Sequence, residues 1–163
     1  MPVPSRDETN NSILMLVGIP YSGKSYSIND AENIHDHIVV SRDNLITSKF
    51  PHLNYHDAWK VVDHDAINLE LDHVYRTAVK EKKNIIIDMT NLSVKSRNKM
   101  LSQIPKGYFK QATVYYTGLN RIRDRVKERE DKKIDYSILE RMMNSFQVPL
   151  FSEFDEINFY LQF

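Results

Sequence analysis

The octapeptide GIPYSGKS, residues 18–25, carries the most specific chemistry in the chain. It fits G-x-x-x-x-G-K-[ST], a pattern in which a strand runs into a loop whose backbone N–H groups wrap phosphate oxygens. Gly18 and Gly23 free the backbone to turn, and Ile19, Pro20, Tyr21 and Ser22 form the loop between them. Lys24 is placed to reach terminal phosphates, Ser25 offers a hydroxyl to magnesium, and Tyr26 belongs to the helix whose positive end faces the anion. A glycine turn joining strand to helix is the plain alternative, and the buried strand just before the loop favours phosphate. The expected ligands are ATP, or another nucleoside triphosphate, and magnesium. The loop is silent on what receives the phosphoryl group.

A kinase also needs a group that orients and deprotonates the attacking hydroxyl. The run HIVV leads directly into Ser41-Arg42-Asp43-Asn44, which puts Asp43 and its neighbour Arg42 at the carboxyl end of a strand, where open α/β sheets bind ligands. Asp43 could equally cap a helix starting near Leu45. The run NIIIDMTNL brings Asp88, Thr90 and Asn91 to the same rim. Asp88 could hold a magnesium-bound water or fix the substrate, or simply end a buried strand. Arg97, early in the next helix, could approach a phosphate or lie in solvent. Residues 121–133, RIRDRVKEREDKK, read first as a solvated charged helix. However, Arg125 and Arg129 are four apart and share a helical face, and such a face can close over phosphates and neutralise charge developing in transfer.

Those residues need a frame. Short apolar runs at 13–17, 37–40, 84–88 and 112–116, with a weaker one at 157–161, read as strands buried in a parallel sheet. Between them lie helical patterns. Residues 24–30 follow the loop, and 55–82 form one long amphipathic helix or two abutting ones. Residues 94–104 follow a Ser93 cap, and 119–130 and 136–146 complete the set. Alternating strands and helices predict an α/β fold: a doubly wound parallel sheet of four to five strands with helices on both faces and a helical lid. Residues 1–11 are expected to be a flexible N-terminal segment and 12–163 a single domain.

The 163 residues suit one core, and 41% hydrophobic with 27% charged residues is the balance of a soluble globular protein. Basic and acidic residues number 22 each, so no whole-protein field favours nucleic acid, and any polyanion site must be local. The absence of cysteine excludes disulfides and thiolate metal sites. The polar start MPVPSRDETNN is no signal peptide, and no run reaches the roughly 18 apolar residues of a membrane span, so a cytoplasmic, membrane-free location is expected.

Taken in order, GIPYSGKS, SRDN, IIIDMTNLSVKSR, RIRDRVKERED and IDYSILERMMNSF resemble the kinase domain of the bacteriophage polynucleotide kinases, over residues 13 to about 149. The resemblance implies a P-loop kinase fold and transfer of the γ-phosphate of ATP to the 5′-hydroxyl ends of DNA or RNA. It implies a nucleic-acid ligase as functional partner, and the cytoplasm of a host cell if the gene is phage-encoded. It assigns Lys24 and Ser25 to ATP and magnesium, Asp43 to the general base, the D-x-T-N motif to Asp88, Thr90 and Asn91, and the lid arginines to Arg125 and Arg129. The chain departs from the family at Ile46, where an arginine contacts the phosphate beside the accepting nucleotide; Arg42, Lys49 or Arg97 are the cations that could take over. That departure keeps open a kinase acting on a nucleoside, a sugar nucleotide or a modified-base hydroxyl. A nucleotide-binding or hydrolysing module with no acceptor is the third reading, against which stands Met89, not glutamate, after Asp88.

Overall fold

A computed structural model of the protein describes residues 11–29 and 36–163, so the expected N-terminal segment, apart from Asn11, lies outside the described residues. Five parallel strands form one sheet in the order β2-β3-β1-β4-β5: β1 (Ser12–Val17), β2 (His37–Ser41), β3 (Asn84–Asp88), β4 (Phe109–Thr117) and β5 (Glu156–Gln162). The central three are the runs with apolar residues on both faces. Ile13, Met15 and Val17 of β1 and Ile85 and Ile87 of β3 meet Tyr75, Ala78 and Leu101 on one side, while Leu16 and Ile86 meet Ile28 on the other. The elements supplying those partners are α4 (His64–Lys80), α5 (Val94–Leu101) and, after the loop, α1 (Lys24–Asn29).

The stretch 55–82 is two helices. A first, α3 (Tyr55–Val61), stops because Asp63 caps α4: its Oδ1 accepts from the N–H groups of Asp65 at 3.0 Å and Ala66 at 3.1 Å. These helices pack with α2 (Arg42–Lys49) around Ile46, Ala58, Val62 and Ile67. Beyond β4, α6 (Leu119–Glu128) and α7 (Tyr136–Asn144) bury Ile122 and Leu139 against Ile19 and Leu92, which seats them over the loop after β1. In register across the sheet, Leu16, Asp88 and Ser41 bring the carboxyl ends of β1, β3 and β2 to one rim.

Candidate active site

The phosphate loop is shaped by close approach. A Cβ on Gly18 would lie 2.7 Å from both the Tyr115 carbonyl oxygen and Ser22 Oγ, so no side chain fits there. Tyr21 at φ 67° and Gly23 at φ 100° turn the chain back into α1. Gly18 N donates to Thr90 O at 3.0 Å and Thr117 Oγ1 to Ser22 O at 3.1 Å, tying the loop to the ends of its neighbouring strands. Lys24 is buried beneath it, and its Nζ donates to the carbonyls of Gly18 at 2.6 Å and Ile19 at 2.9 Å. Burial pushes this ammonium down to about 8, against the opposing pull of Asp88. Asp88 itself is pushed up by burial, opposed by Lys24 and by a hydrogen bond to Ser41.

Ser22 Oγ is buried with no hydrogen-bond partner among the described residues. A buried ammonium, an orphaned hydroxyl and a glycine cradle form a surface suited to a polyanion. The hydroxyl of exposed Ser25 and the carboxylate of Asp88 are oxygen donors of the kind magnesium takes alongside phosphate and water.

Asp43 does not cap α2. Ser41 does, its Oγ accepting from Asn44 N at 3.3 Å, which leaves the Asp43 carboxylate available at the rim. Its Oδ1 accepts from the Tyr55 hydroxyl at 2.7 Å and its Oδ2 from Lys132 Nζ at 2.5 Å. Burial, and then the charge of Asp43 and the hydrogen bond to it, push the Tyr55 phenol up, which keeps it a donor. The Lys132 ammonium also lies 4.1 Å from the centroid of the Tyr55 ring.

Beside them, the Arg42 guanidinium lies 5.2 Å over the ring of Trp59, donates to Asn68 Oδ1 and meets His64 Nδ1 at 2.7 Å. Since arginine can only donate, the imidazole proton is on Nε2, which donates to Trp59 O at 3.0 Å. Among the described residues no carboxylate lies within ion-pair distance of Arg42.

Other expected site residues are placed differently. Arg97 is fully buried; its Nε and Nη2 bind the two carboxylate oxygens of Glu153 at 2.9 and 3.1 Å, and Nη1 donates to the carbonyls of Asn91, Leu92 and Gln147. It clamps α5 to the chain entering β5 and does not face a phosphate. Asn91 is 5% exposed, and its Nδ2 donates to Leu16 O at 2.7 Å and Met89 O at 3.2 Å, so it satisfies strand-end carbonyls and does not face substrate. Thr90 serves the loop through its carbonyl.

Arg125 and Arg129 do not share a helical face, because α6 ends at Glu128 and Arg129 is extended, at φ −94° and ψ 119°. Arg125 lies against the loop, its Nη1 donating to Tyr21 O at 2.6 Å and its Nη2 to Gln162 Oε1 at 2.5 Å. Arg129 is paired with Asp131, at 3.0 Å through Nε and 2.7 Å through Nη2. Ile46 is fully buried, so the position three residues after Asp43 faces the small core between α2, α3 and α4. Tyr55, Trp59 and Lys132 were not among the expected site residues. Their only sequence signal is an aromatic pair in a helical pattern and a lysine at the end of a charged segment.

A family model for an AAA domain matches residues 13–149. No curated protein matches the chain. Among solved structures, a chain of the Pnkp1/Rnl/Hen1 RNA repair complex aligns with a TM-score of 0.65 at 21% identity, over 86% of this chain and 46% of that one. The chain thus spans less than half the length of that relative. A gluconokinase from Sinorhizobium meliloti 1021 aligns with a TM-score of 0.59 at 13% identity, over 93% of this chain and 82% of that one. Chaetomium thermophilum Kti12 in complex with ADP-AlF3 aligns with a TM-score of 0.58 at 16% identity, over 91% and 88%. No helix among the described residues is long and apolar enough to cross a membrane. From the extent of the family match, and a fold with a phosphate loop at the end of its central strand, the chain belongs to the AAA-domain family and has a P-loop kinase fold.

Proposed function

We propose that this protein is an ATP-dependent polynucleotide kinase that phosphorylates the 5′-hydroxyl end of DNA or RNA. The observation that carries the reading is the wall beside Asp43. There a guanidinium with only uncharged partners is stacked on Trp59, so an acceptor with both an aromatic base and a phosphodiester meets a matching surface. A neutral sugar would use neither feature fully. Similarity to a chain of an RNA repair complex supports the same class of acceptor, and its assembly with Rnl and Hen1 supports a ligase as partner of this chain.

The residues divide the work as follows. Lys24 and the backbone N–H groups of Gly23, Lys24 and Ser25 hold the triphosphate, and Arg125 steadies the transferring group from the lid side, with Arg129 as the second lid cation. Ser25 and Asp88 would hold magnesium, which would supply positive charge against the phosphates. Asp43 accepts the proton of the hydroxyl as the new O–P bond forms and the bond from the γ-phosphorus to its bridging oxygen breaks, releasing ADP. Tyr55 orients the carboxylate through Oδ1.

A second reading, a small-molecule kinase, draws support from the burial of Ile46, which removes an acceptor cation at that position, and from the likeness to a gluconokinase. γ-Labelled ATP offered in parallel with 5′-hydroxyl oligonucleotides, nucleosides, gluconate and no acceptor separates them. Label on the oligonucleotide is expected; label confined to a small molecule, or released only as free phosphate, rejects the proposal.

A further inference from the structure

We propose that Lys132 masks Asp43 until the donor nucleotide binds, so that the connection between α6 and α7 makes acceptor entry depend on donor binding. The inference rests on the kinase reading above, in which Asp43 takes the acceptor's proton.

Three observations carry it. First, both oxygens of Asp43 are occupied, Oδ1 by the Tyr55 hydroxyl and Oδ2 by Lys132 Nζ. The ammonium is held in place: its side chain is 15% exposed, against 47% for Asp43, and it packs on the Tyr55 ring. An acceptor hydroxyl arriving at Oδ2 competes with the ammonium for that oxygen. Second, the Tyr21 side chain ties the phosphate loop to the backbone carrying Lys132. The Tyr21 hydroxyl donates to Lys132 O and accepts from Ile134 N at 3.2 Å, while Tyr21 O accepts from Arg125. Third, Lys24 is folded onto the carbonyls of Gly18 and Ile19, and phosphate oxygens in the cradle draw it away from them. The loop that anchors Tyr21 therefore rearranges when the donor arrives.

Charge pushes the same way. Lys132 is close enough to Lys24 for the two cations to act on each other across the site. A triphosphate between them offers Lys132 several anionic oxygens in place of one carboxylate. Lys132 then exchanges Asp43 for the donor's terminal phosphate, leaving Oδ2 open to the hydroxyl. Lys132 thus controls access to the base, and the coupling is a difference in its affinity for two partners.

Trp59, the only tryptophan in the chain, has its ring 5.9 Å from that of Tyr55 and reports on this corner without an acceptor. A non-hydrolysable ATP analogue with magnesium is titrated into the full chain, with binding followed by calorimetry and Trp59 emission in parallel. The expected result is a saturable emission change in the wild type that is absent in K132M and kept in K132R, with the analogue bound in all three. A 5′-hydroxyl oligonucleotide is expected to bind the wild type about ten-fold more tightly with the analogue than without it, and K132M equally tightly in both conditions. Y21F, which cuts the tether from the loop, is expected to lose at least half of the coupling and supplies a second variant should K132M not fold. An unchanged emission in nucleotide-bound wild type, or the same coupling in the wild type and in K132M or Y21F, overturns the proposal. If no oligonucleotide binds any form while the Trp59 response follows the expected pattern, the masking stands and the acceptor assignment fails.

Discussion

The proposed donor and acceptor walls of the site are built in different ways. The phosphate loop takes consecutive residues, Gly18 to Tyr26, from one strand–helix junction, and most of what it offers is backbone and one buried lysine. The wall around Asp43 takes Arg42 from α2, Tyr55 and Trp59 from α3, His64 from α4 and Lys132 from the lid connection, and what it offers is side chains. A backbone cradle binds any triphosphate and tolerates little change. A wall of side chains from four places can be re-cut for a new acceptor while the sheet beneath it stays the same, which is how one fold serves many substrates.

If Asp43 is the base, D43N is expected to lower the transfer rate about 10²- to 10⁴-fold while donor affinity, measured by calorimetry, stays within a few-fold. Equal losses in rate and in nucleotide binding would erase the division between the walls.

Arg97 tests the border of the site from outside. R97M leaves Glu153 buried without its cation, so a loss of about 3–5 kcal/mol in denaturant unfolding is expected, with the acceptor KM unchanged in the protein that remains folded. A raised acceptor KM at full stability would return Arg97 to the acceptor wall.

Ile46 offers a comparable trial from the opposite direction. I46R introduces the arginine that the phage polynucleotide kinases carry at the corresponding position, but here it is enclosed by Ala58, Val62 and Ile67, so about 3 kcal/mol of destabilisation and no tighter oligonucleotide binding are expected.

Lys24 gives the donor wall a pH signature. Its folded value, about 8, lies below the roughly 10.4 of an unfolded lysine, so the folded state holds its proton less tightly. The penalty is fully present below pH 8 and fades as pH rises toward about 10.4. The nucleotide-free K24M variant is therefore expected to melt a few degrees above the wild type at pH 7, by up to about 3 kcal/mol, with the gap narrowing above pH 8. A gap that is constant with pH would mean the lysine is not strained by burial.

The smallest effect is expected at Trp59. W59A should raise the oligonucleotide KM by the equivalent of about 1–3 kcal/mol and leave donor affinity almost unchanged, as loss of one stacking surface on the acceptor side would. An unchanged oligonucleotide KM would move the base elsewhere.

Read without structure, the chain already declared its sheet, because buried parallel strands are unbroken apolar runs and the phosphate loop is a contiguous pattern in which each residue has a backbone-level reason to be there. Asp43 and Asp88 were legible for the same reason: a charge directly after a buried run must emerge at the strand's end. The rest depended on tertiary structure. That α6 stops at Glu128 was hidden, since no glycine or proline marks the end and the charged residues on either side are equally good helix formers. Arg97, Asn91 and Ile46 look solvent- or ligand-facing by type or by analogy, yet each is turned inward by contacts that only the packed fold creates. Tyr55 and Lys132 meet at Asp43 from 12 and 89 residues away. Local pattern reports which backbone groups must be buried or bent, whereas side chains brought together across such separations are chosen by packing, and that choice leaves no period in the sequence.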